Sequence, residues 1–460
     1  MAPFTKAATA LAALREDVSG QVFAPADPGY EEARTVFNAM IDRRPAVIVQ
    51  CESVPDVATA VRFARDLDLH IAVRGGGHSV AGQALNDGGV VVDLRRMHEV
   101  TVHPAAKAAR IEGGATMSHL DRACQPHDLA TTGGRASTTG VGGFVLGGGS
   151  GWLDRAFGLA VDNLLGVELV TADGSLVEAT AEENPELFWA LHGGGGNFGI
   201  ATALTLRLHE LPAMSMALVL YLPEHGRQAV RTYRNLIEAG PPEASGMVLY
   251  MCAPPEDFIP PRLVGQLLCG VLLTYAGPEE RMRKLAGPLL ALPHEAEIVT
   301  AIPYADLQCM IDDPPGLRNY WSAEYLTGLP DELVEVYCAR GESLPLPTGT
   351  QHALWPQGGA IAAGPEVWPV PYRDAAWTVH PFGIWEDPAD DARNIQFVKD
   401  VRADVQPWST GAVYLNFIGD EGADRVVAGL GAENTRRLAA VKREYDPDNV
   451  FRFNHNIKPA

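Results

Sequence analysis

The chain has 460 residues, too many for one ordinary hydrophobic core, so two or three lobes are expected. Hydrophobic residues make up 47% and charged residues 20%, a balance that excludes a disordered chain. The net charge is −21 and no cluster of Lys and Arg appears, which argues against a nucleic-acid or anionic-membrane surface; a phosphate-bearing cofactor can still bind through backbone N–H groups.

Taken in chain order, Met1 to Leu14 is rich in Ala, carries one Lys and runs straight into Arg15, Glu16 and Asp17. The stretch is too short for a membrane span and no twin-Arg pair precedes it, so it reads as the first helix of a cytoplasmic protein. Pro45–Gln50 is expected as a strand. Val54–Asp68 has apolar residues at helical spacing, with Ser53 as its N-cap. His70–Arg74 and Gly89–Leu94 follow as strands, separated by a glycine turn where a ligand can approach the backbone. Arg110–Gly114 reads as a strand and Met117–Cys124 as a helix. Leu165–Thr171 and Ser175–Ala179 flank a hairpin turn at Ala172–Gly174. Pro185–Leu191 is a short helix and Gly199–Arg207 a strand. Composition shifts near Leu211 toward Pro, aromatics and long apolar runs such as Leu263–Tyr275, which marks a second domain. Asn434–Tyr445 is a polar amphipathic helix stopped by Asp446 and Pro447. Six scattered cysteines without a CxxC pair read as free thiols, and the histidines do not pair with acids or cysteines at ligand spacing, so no metal is expected.

Three glycine clusters carry the chemistry: RGGGHS (74–79), GGFVLGGG (142–149) and GGGGNFG (193–199). Glycine runs cost about 0.5–1 kcal/mol per residue relative to Ala, so three of them imply something that must come close to the backbone. A diphosphate fits, because successive N–H groups form an anion nest. None of the clusters is a P-loop, since no Lys followed by Ser or Thr completes one, and none has the helix and downstream acid of a dinucleotide fingerprint. Tight turns are the plainer alternative for any single cluster. His78 directly follows the first cluster, which places its ring beside whatever fills the nest.

With these residues in view, the chain resembles the vanillyl-alcohol-oxidase superfamily, with its PCMH-type FAD-binding domain, and most of all its berberine-bridge-enzyme-like branch. The likeness spans nearly the whole chain. It rests on RGGGHS (74–79) with DGGVVVDL (87–94), TTGVGG (138–143) through GGGSGW (147–152), GLAVDN (158–163), VELVTADG (167–174), ELFWALHGGGGNFG (186–199), YLN (414–416) and YDPDNVFRFNHN (445–456). The resemblance implies an α+β fold: an FAD-binding domain over 1–207, a substrate-binding domain over 208–407 with an antiparallel sheet covered by helices, and a return over 408–460 that completes the FAD domain. It implies FAD bonded through His78 to the flavin's 8α-methyl carbon, with Arg74, Gly75, Gly76, Gly77 and Ser79 around the pyrophosphate and Gln83 nearby. Thr138, Thr139, Gly142 and Gly149 would line the cofactor's middle, and Asn163 and the Val167 backbone its nucleotide end. Tyr414, Asn416 and Asn454 would return to the flavin ring. Many relatives attach the flavin a second time through a Cys in a CPTVGVGG run; here the run is ASTTGVGG (136–143), with Ala136 in that place, so a single link is expected.

A flavin supplies the redox chemistry, and the protein supplies position and a base for the departing proton. Tyr414 is the candidate base, or else packs beside the ring; a free Tyr titrates near ~10, so it needs a neighbouring cation or carboxylate network. RNYWSAEY (318–325) resembles a block of the family's substrate domain, with Ser322 where relatives often carry Lys. PYR (371–373) stands where a His-Arg pair is usual. Tyr320, Trp321 and Arg373 either line the substrate pocket or belong to core or lid. Three functions follow from these residues: an oxidase of an alcohol, sugar or amine that returns electrons to O2 and releases peroxide, an oxygenase or cyclase of secondary metabolism, or a non-catalytic flavin-binding protein. Substrate identity is not legible.

Overall fold

Alternation between short apolar runs and turns in the first hundred residues builds a small sheet. The computed structural model describes residues 3–256 and 258–460. Val47–Gln50, Val90–Asp93 and Ile71–Arg74 pair in parallel, in that spatial order, and Gln21–Phe23 adds an antiparallel edge. The central strand, Val90–Asp93, is buried throughout, as parallel strands covered on both faces are. Helix Val54–Asp66 is capped by Ser53, whose hydroxyl accepts the N–H of Asp56 at 3.3 Å. This helix ends short of the expected Asp68, because Asp68 itself adopts a left-handed φ of 55°.

The second sheet is antiparallel, in the order Val100–His103, Ala108–Glu112, Ile200–Arg207, Leu164–Val170, Leu176–Ala179. The hairpin turn holds together locally: Thr171 Oγ1 donates to Asp173 Oδ1 at 2.6 Å, and Gly174 supplies the φ of 79°. Strand Val100–His103 is an addition to the sequence reading; its sequence, VTVH, alternates exposed and half-buried positions and carries little apolar signal. Helix Met117–Cys124 forms over the expected residues. The strand expected over Arg110–Gly114 begins instead at Ala108 and stops at Glu112.

The third sheet is larger and antiparallel. Its strands run Ala296–Ala301, Ser215–Tyr221, Leu267–Tyr275, Ala244–Cys252, Gln351–Pro356, Trp377–Trp385 and Arg318–Trp321, with Glu324–Leu326 also on Trp377–Trp385. Alternate residues divide between two cores. Ala217, Val219 and Tyr221 pack under helices Pro223–Ala239, Glu279–Leu290, Asp331–Glu342 and Asp391–Val405. Met216, Leu218 and Leu220 face the other way, toward Trp152 and Leu153 of the glycine-rich half. Both faces are therefore buried, which explains the unbroken apolar runs that marked this region in the sequence.

The chain closes with helices Ala423–Leu430 and Ala432–Tyr445. Lys442, 0% exposed, donates from Nζ to Asp446 (2.6 Å), Asn197 O (2.6 Å) and Phe451 O (2.8 Å). A buried cation with every proton placed pins the C-terminal return onto the third glycine cluster. Among the described residues the result is an α+β architecture of these three sheets and one two-stranded pair, Leu129–Ala130 with His209–Glu210. The six cysteines are free thiols, four of them buried. Among the described residues no helix is long and apolar enough to cross a membrane, and no group of His, Cys, Asp and Glu is arranged to hold a metal.

Candidate active site

The three glycine segments and the third sheet meet around one cavity of about 330 Å³. Gly75–Gly77 leave the first sheet at the end of strand Ile71–Arg74. Gly140, Gly142 and Gly143 open helix Val141–Leu146, and Gly193–Gly196 turn into the strand that starts at Ile200. The first two segments touch. A Cβ on Gly76 would lie 2.4 Å from Gly140 N, and one on Gly140 would lie 2.3 Å from Gly76 N. No side chain fits at either position, and Gly77 adds a φ of 76°. At Gly143, Gly195 and Gly196 a Cβ would meet nothing within 4 Å. The cradle is thus made of bare backbone facing open space, as a diphosphate nest requires.

His78 stands at the rim of this cradle. Its Nε2 is 2.7 Å from Thr138 Oγ1, and its ring stacks on Phe37 with centroids 4.1 Å apart. Surrounding protein desolvates the imidazole and lowers its pKa from 6.5 to about 4, so it is neutral at physiological pH. With Nε2 facing Thr138, Nδ1 is left without a hydrogen bond among the described residues. Ser79 and Gln83 also line the cavity, and Gln83 N donates to Ser79 Oγ at 3.4 Å. From the C-terminal return, Asn454 donates to Gly196 O (3.1 Å) and Phe451 O (3.0 Å). Its buried Oδ1 has no partner among the described residues.

Tyr414 is 1% exposed, and its hydroxyl reaches the cavity wall. It accepts Gly149 N–H at 2.9 Å and Asn416 Nδ2–H at 2.7 Å. Burial pushes the phenol up to about 12, opposed by these N–H donors and by the positive charge of Arg135. Asn416 also donates to Phe144 O at 3.2 Å, so its amide is oriented by the helix it faces.

The far wall comes from the third sheet and is aromatic: Trp321, Trp355 and Phe382 line it, with Gln351, Ile384 and Ile311. Arg135 closes one corner, 8% exposed, with its guanidinium 4.4 Å from the Trp355 ring centroid and 5.4 Å from that of Trp152. It donates to Ser150 Oγ (3.3 Å) and Gly151 O (3.1 Å) and sits 3.7 Å from Asp154. Asp313 faces the same cavity, and burial together with the neighbouring Asp312 raises its pKa from 3.8 to about 6. Neither Arg135 nor Asp313 is among the sequence candidates. Their signals are faint: a lone charge in the run GGRAS (133–137), and an acid pair before two prolines.

Of the residues expected from sequence, Gly75, Gly76, Gly77, His78, Ser79, Gln83, Thr138, Thr139, Gly142, Tyr414, Asn416, Asn454 and Trp321 line this one cavity, as does Ala136. Six others do not. The Arg74 side chain turns away to donate to Ala33 O (2.6 Å) and Thr35 O. Gly149 lies behind the wall, where a Cβ would meet Ala160 at 2.4 Å, and acts through its N–H on Tyr414. Asn163 donates to Phe157 O and Leu159 O and faces His209, and Val167 packs in the core of the second sheet. Arg373 is committed to a buried ion pair with Asp162. Tyr320 neighbours Trp321 on one strand, so its side chain leaves by the opposite face.

Comparison with known proteins agrees with this geometry. An FAD binding domain model matches residues 45–180, and a berberine and berberine-like model matches residues 413–458. The (R)-6-hydroxynicotine oxidase of Paenarthrobacter nicotinovorans is 31% identical over 465 residues, covering 96% of this chain and 97% of that protein. An uncharacterized FAD-linked oxidoreductase of Bacillus subtilis is 29% identical over 452 residues, covering 96% and 97%. The crystal structure of 6-hydroxy-D-nicotine oxidase from Arthrobacter nicotinovorans superposes with a TM-score of 0.87 at 28% identity, over 96% of this chain and 98% of that one. A xylooligosaccharide oxidase from Myceliophthora thermophila, at 22% identity and a TM-score of 0.84, shares the fold over 98% and 99%. The matches run from the FAD-binding half to the C-terminal return, and the chain belongs to the berberine-bridge-enzyme-like family of PCMH-type FAD-linked oxidoreductases.

Proposed function

We propose that the protein holds FAD by one covalent bond, through His78, and oxidises a small alcohol, sugar or amine with O2 as acceptor and H2O2 as product. The observation that carries this reading is the placement of a neutral imidazole at the rim of a side-chain-free cradle. A neutral ring nitrogen is what a histidyl–flavin bond needs, and Nδ1 is the nitrogen left free. The cradle suits the cofactor on its own evidence: open backbone at Gly143, Gly195 and Gly196, and the unpaired Asn454 Oδ1. Ala136 offers no thiol for a second link. Held by His78 and the glycine cradle, FAD would supply the redox chemistry, accepting a hydride equivalent from the substrate with O2 as the final acceptor.

The chain's own residues then have distinct tasks. The aromatic wall of Trp321, Trp355 and Phe382 excludes water from the substrate. Tyr414 is the proposed base: Gly149 N–H, Asn416 Nδ2–H and Arg135 all favour its phenolate, which is the form that takes a proton. The division into FAD-binding (1–207), substrate-binding (208–407) and returning (408–460) segments is kept as part of this proposal.

The test is acid precipitation of the purified protein followed by absorbance of pellet and supernatant. Yellow colour stays in the wild-type pellet and moves to the supernatant in His78→Ala. Colour in the wild-type supernatant contradicts the covalent bond, and a colourless protein that takes up no FAD contradicts the reading as a whole.

A further inference from the structure

The cavity holds two charged side chains of opposite sign, and only one of them is answered. Arg135 is fixed by Ser150, Gly151 and Asp154 and lies against two indole rings. Asp313 has no hydrogen bond and no ion pair among the described residues, although it lines the same space. Its segment is nevertheless fastened in place. The adjacent Asp312 accepts the N–H of Ser137 at 2.7 Å and the Ser137 hydroxyl, which ties the segment to the stretch that contains Ala136 and Thr138. Asp313 is half-buried, and a carboxylate partly withdrawn from water without a partner favours a ligand that supplies the counter-charge. Trp321, Trp355 and Phe382 line the same cavity, with the Trp321 and Phe382 rings meeting edge to face at 5.1 Å. Aromatic faces and an unpaired carboxylate in one cavity suit an organic cation.

We propose that Asp313 is a specificity-determining residue that pairs with the protonated nitrogen of an amine substrate held against the aromatic wall. The inference rests on the flavoenzyme reading above and narrows its substrate class from alcohol, sugar or amine to amine. A neutral polyol leaves the carboxylate unpaired, and an organic anion is repelled by it.

Calorimetric titration of the holoprotein with benzylamine, benzyl alcohol and benzoate tests this, with flavin absorbance recorded on the same samples. The wild type binds benzylamine at least about tenfold more tightly than benzyl alcohol, the scale of one charge-assisted hydrogen bond. Asp313→Asn loses that preference while leaving the benzyl alcohol affinity within about twofold, and Asp313→Glu, which keeps the charge, retains it. Equal binding of amine and alcohol by the wild type, or an amine preference that survives Asp313→Asn, overturns the proposal. A colourless protein overturns the flavoenzyme reading and this inference with it, whereas a yellow protein without the amine preference overturns this inference alone.

Discussion

The two walls of the cavity are built in opposite ways. The cradle is backbone: Gly75–Gly77, Gly140, Gly142, Gly143 and Gly193–Gly196 present amide groups with no side chain between them and the ligand space. The facing wall is side chain: Trp321, Trp355, Phe382, Arg135 and Asp313 come from strands and loops far apart in sequence. A backbone wall is indifferent to side-chain identity and suits a common group, in the proposed reading the diphosphate of FAD. A side-chain wall recognises what differs, and it changes with single substitutions.

That contrast predicts different responses to mutation. The largest effect is expected at the touching loops. Gly140→Val drives a side chain into Gly76 backbone, where even a Cβ lies 2.3 Å from the nitrogen. We expect a stability loss of about 3 kcal/mol or more, together with loss of bound flavin, read by thermal unfolding and absorbance. Gly143→Ala, where a Cβ meets nothing within 4 Å, should leave unfolding unchanged within about 0.5 kcal/mol. Equal damage from both would break the distinction between a packed and an open cradle.

Next comes Tyr414, where the two walls meet. Tyr414→Phe should lower kcat/KM about 100-fold or more if the phenol moves a proton. Because burial holds the phenol up to about 12, kcat/KM of the wild type should climb with pH across the alkaline range, and the variant should lose that climb. A drop of only a few fold, with an unchanged pH profile, would make Tyr414 a packing residue.

A pH-dependent effect tests the seam between the walls. Asp121, on helix Met117–Cys124, accepts Gln308 Nε2–H at 3.1 Å from the neighbouring segment of the other wall. Burial raises its pKa from 3.8 to about 7. The folded state therefore holds this proton more tightly than the unfolded chain does. The resulting stability is full below about pH 4 and is lost as pH rises toward about 7, by no more than about 4 kcal/mol. Asp121→Asn, which keeps the shape and cannot ionise, should flatten this part of the pH–stability curve and be more stable than the wild type at pH ~8. Parallel curves for the two proteins would remove Asp121 from the account.

Legibility in the sequence follows the same division. Glycine is conspicuous, so RGGGHS (74–79) and its two partner clusters announced the cradle, and the βα pattern around them gave strands and helix to within a few residues. Arg74 and Arg373 show that a charge beside a motif does not by itself fix where the side chain goes: their guanidiniums turn to Ala33 O and Asp162. Gly149 and Asn163 lie outside the cavity lining, Gly149 donating to Tyr414 and Asn163 to the turn at Phe157–Leu159. The aromatic wall was half visible. Trp321 lay in a block that resembled the family, whereas Trp355 and Phe382 sit in strands buried on both faces, where nothing local separates the cavity face from the core face. Asp313 depends on tertiary placement alone, since its significance is the absence of a partner.

The central claim is that a single histidine at the edge of a backbone cradle tethers the flavin. Peptide mass mapping of the denatured, protease-digested protein tests it most directly. The account predicts one FAD adduct per chain, on the peptide containing His78 and on no other. Unmodified His78 peptide from a protein that carries flavin, or an adduct on a different residue, would contradict it.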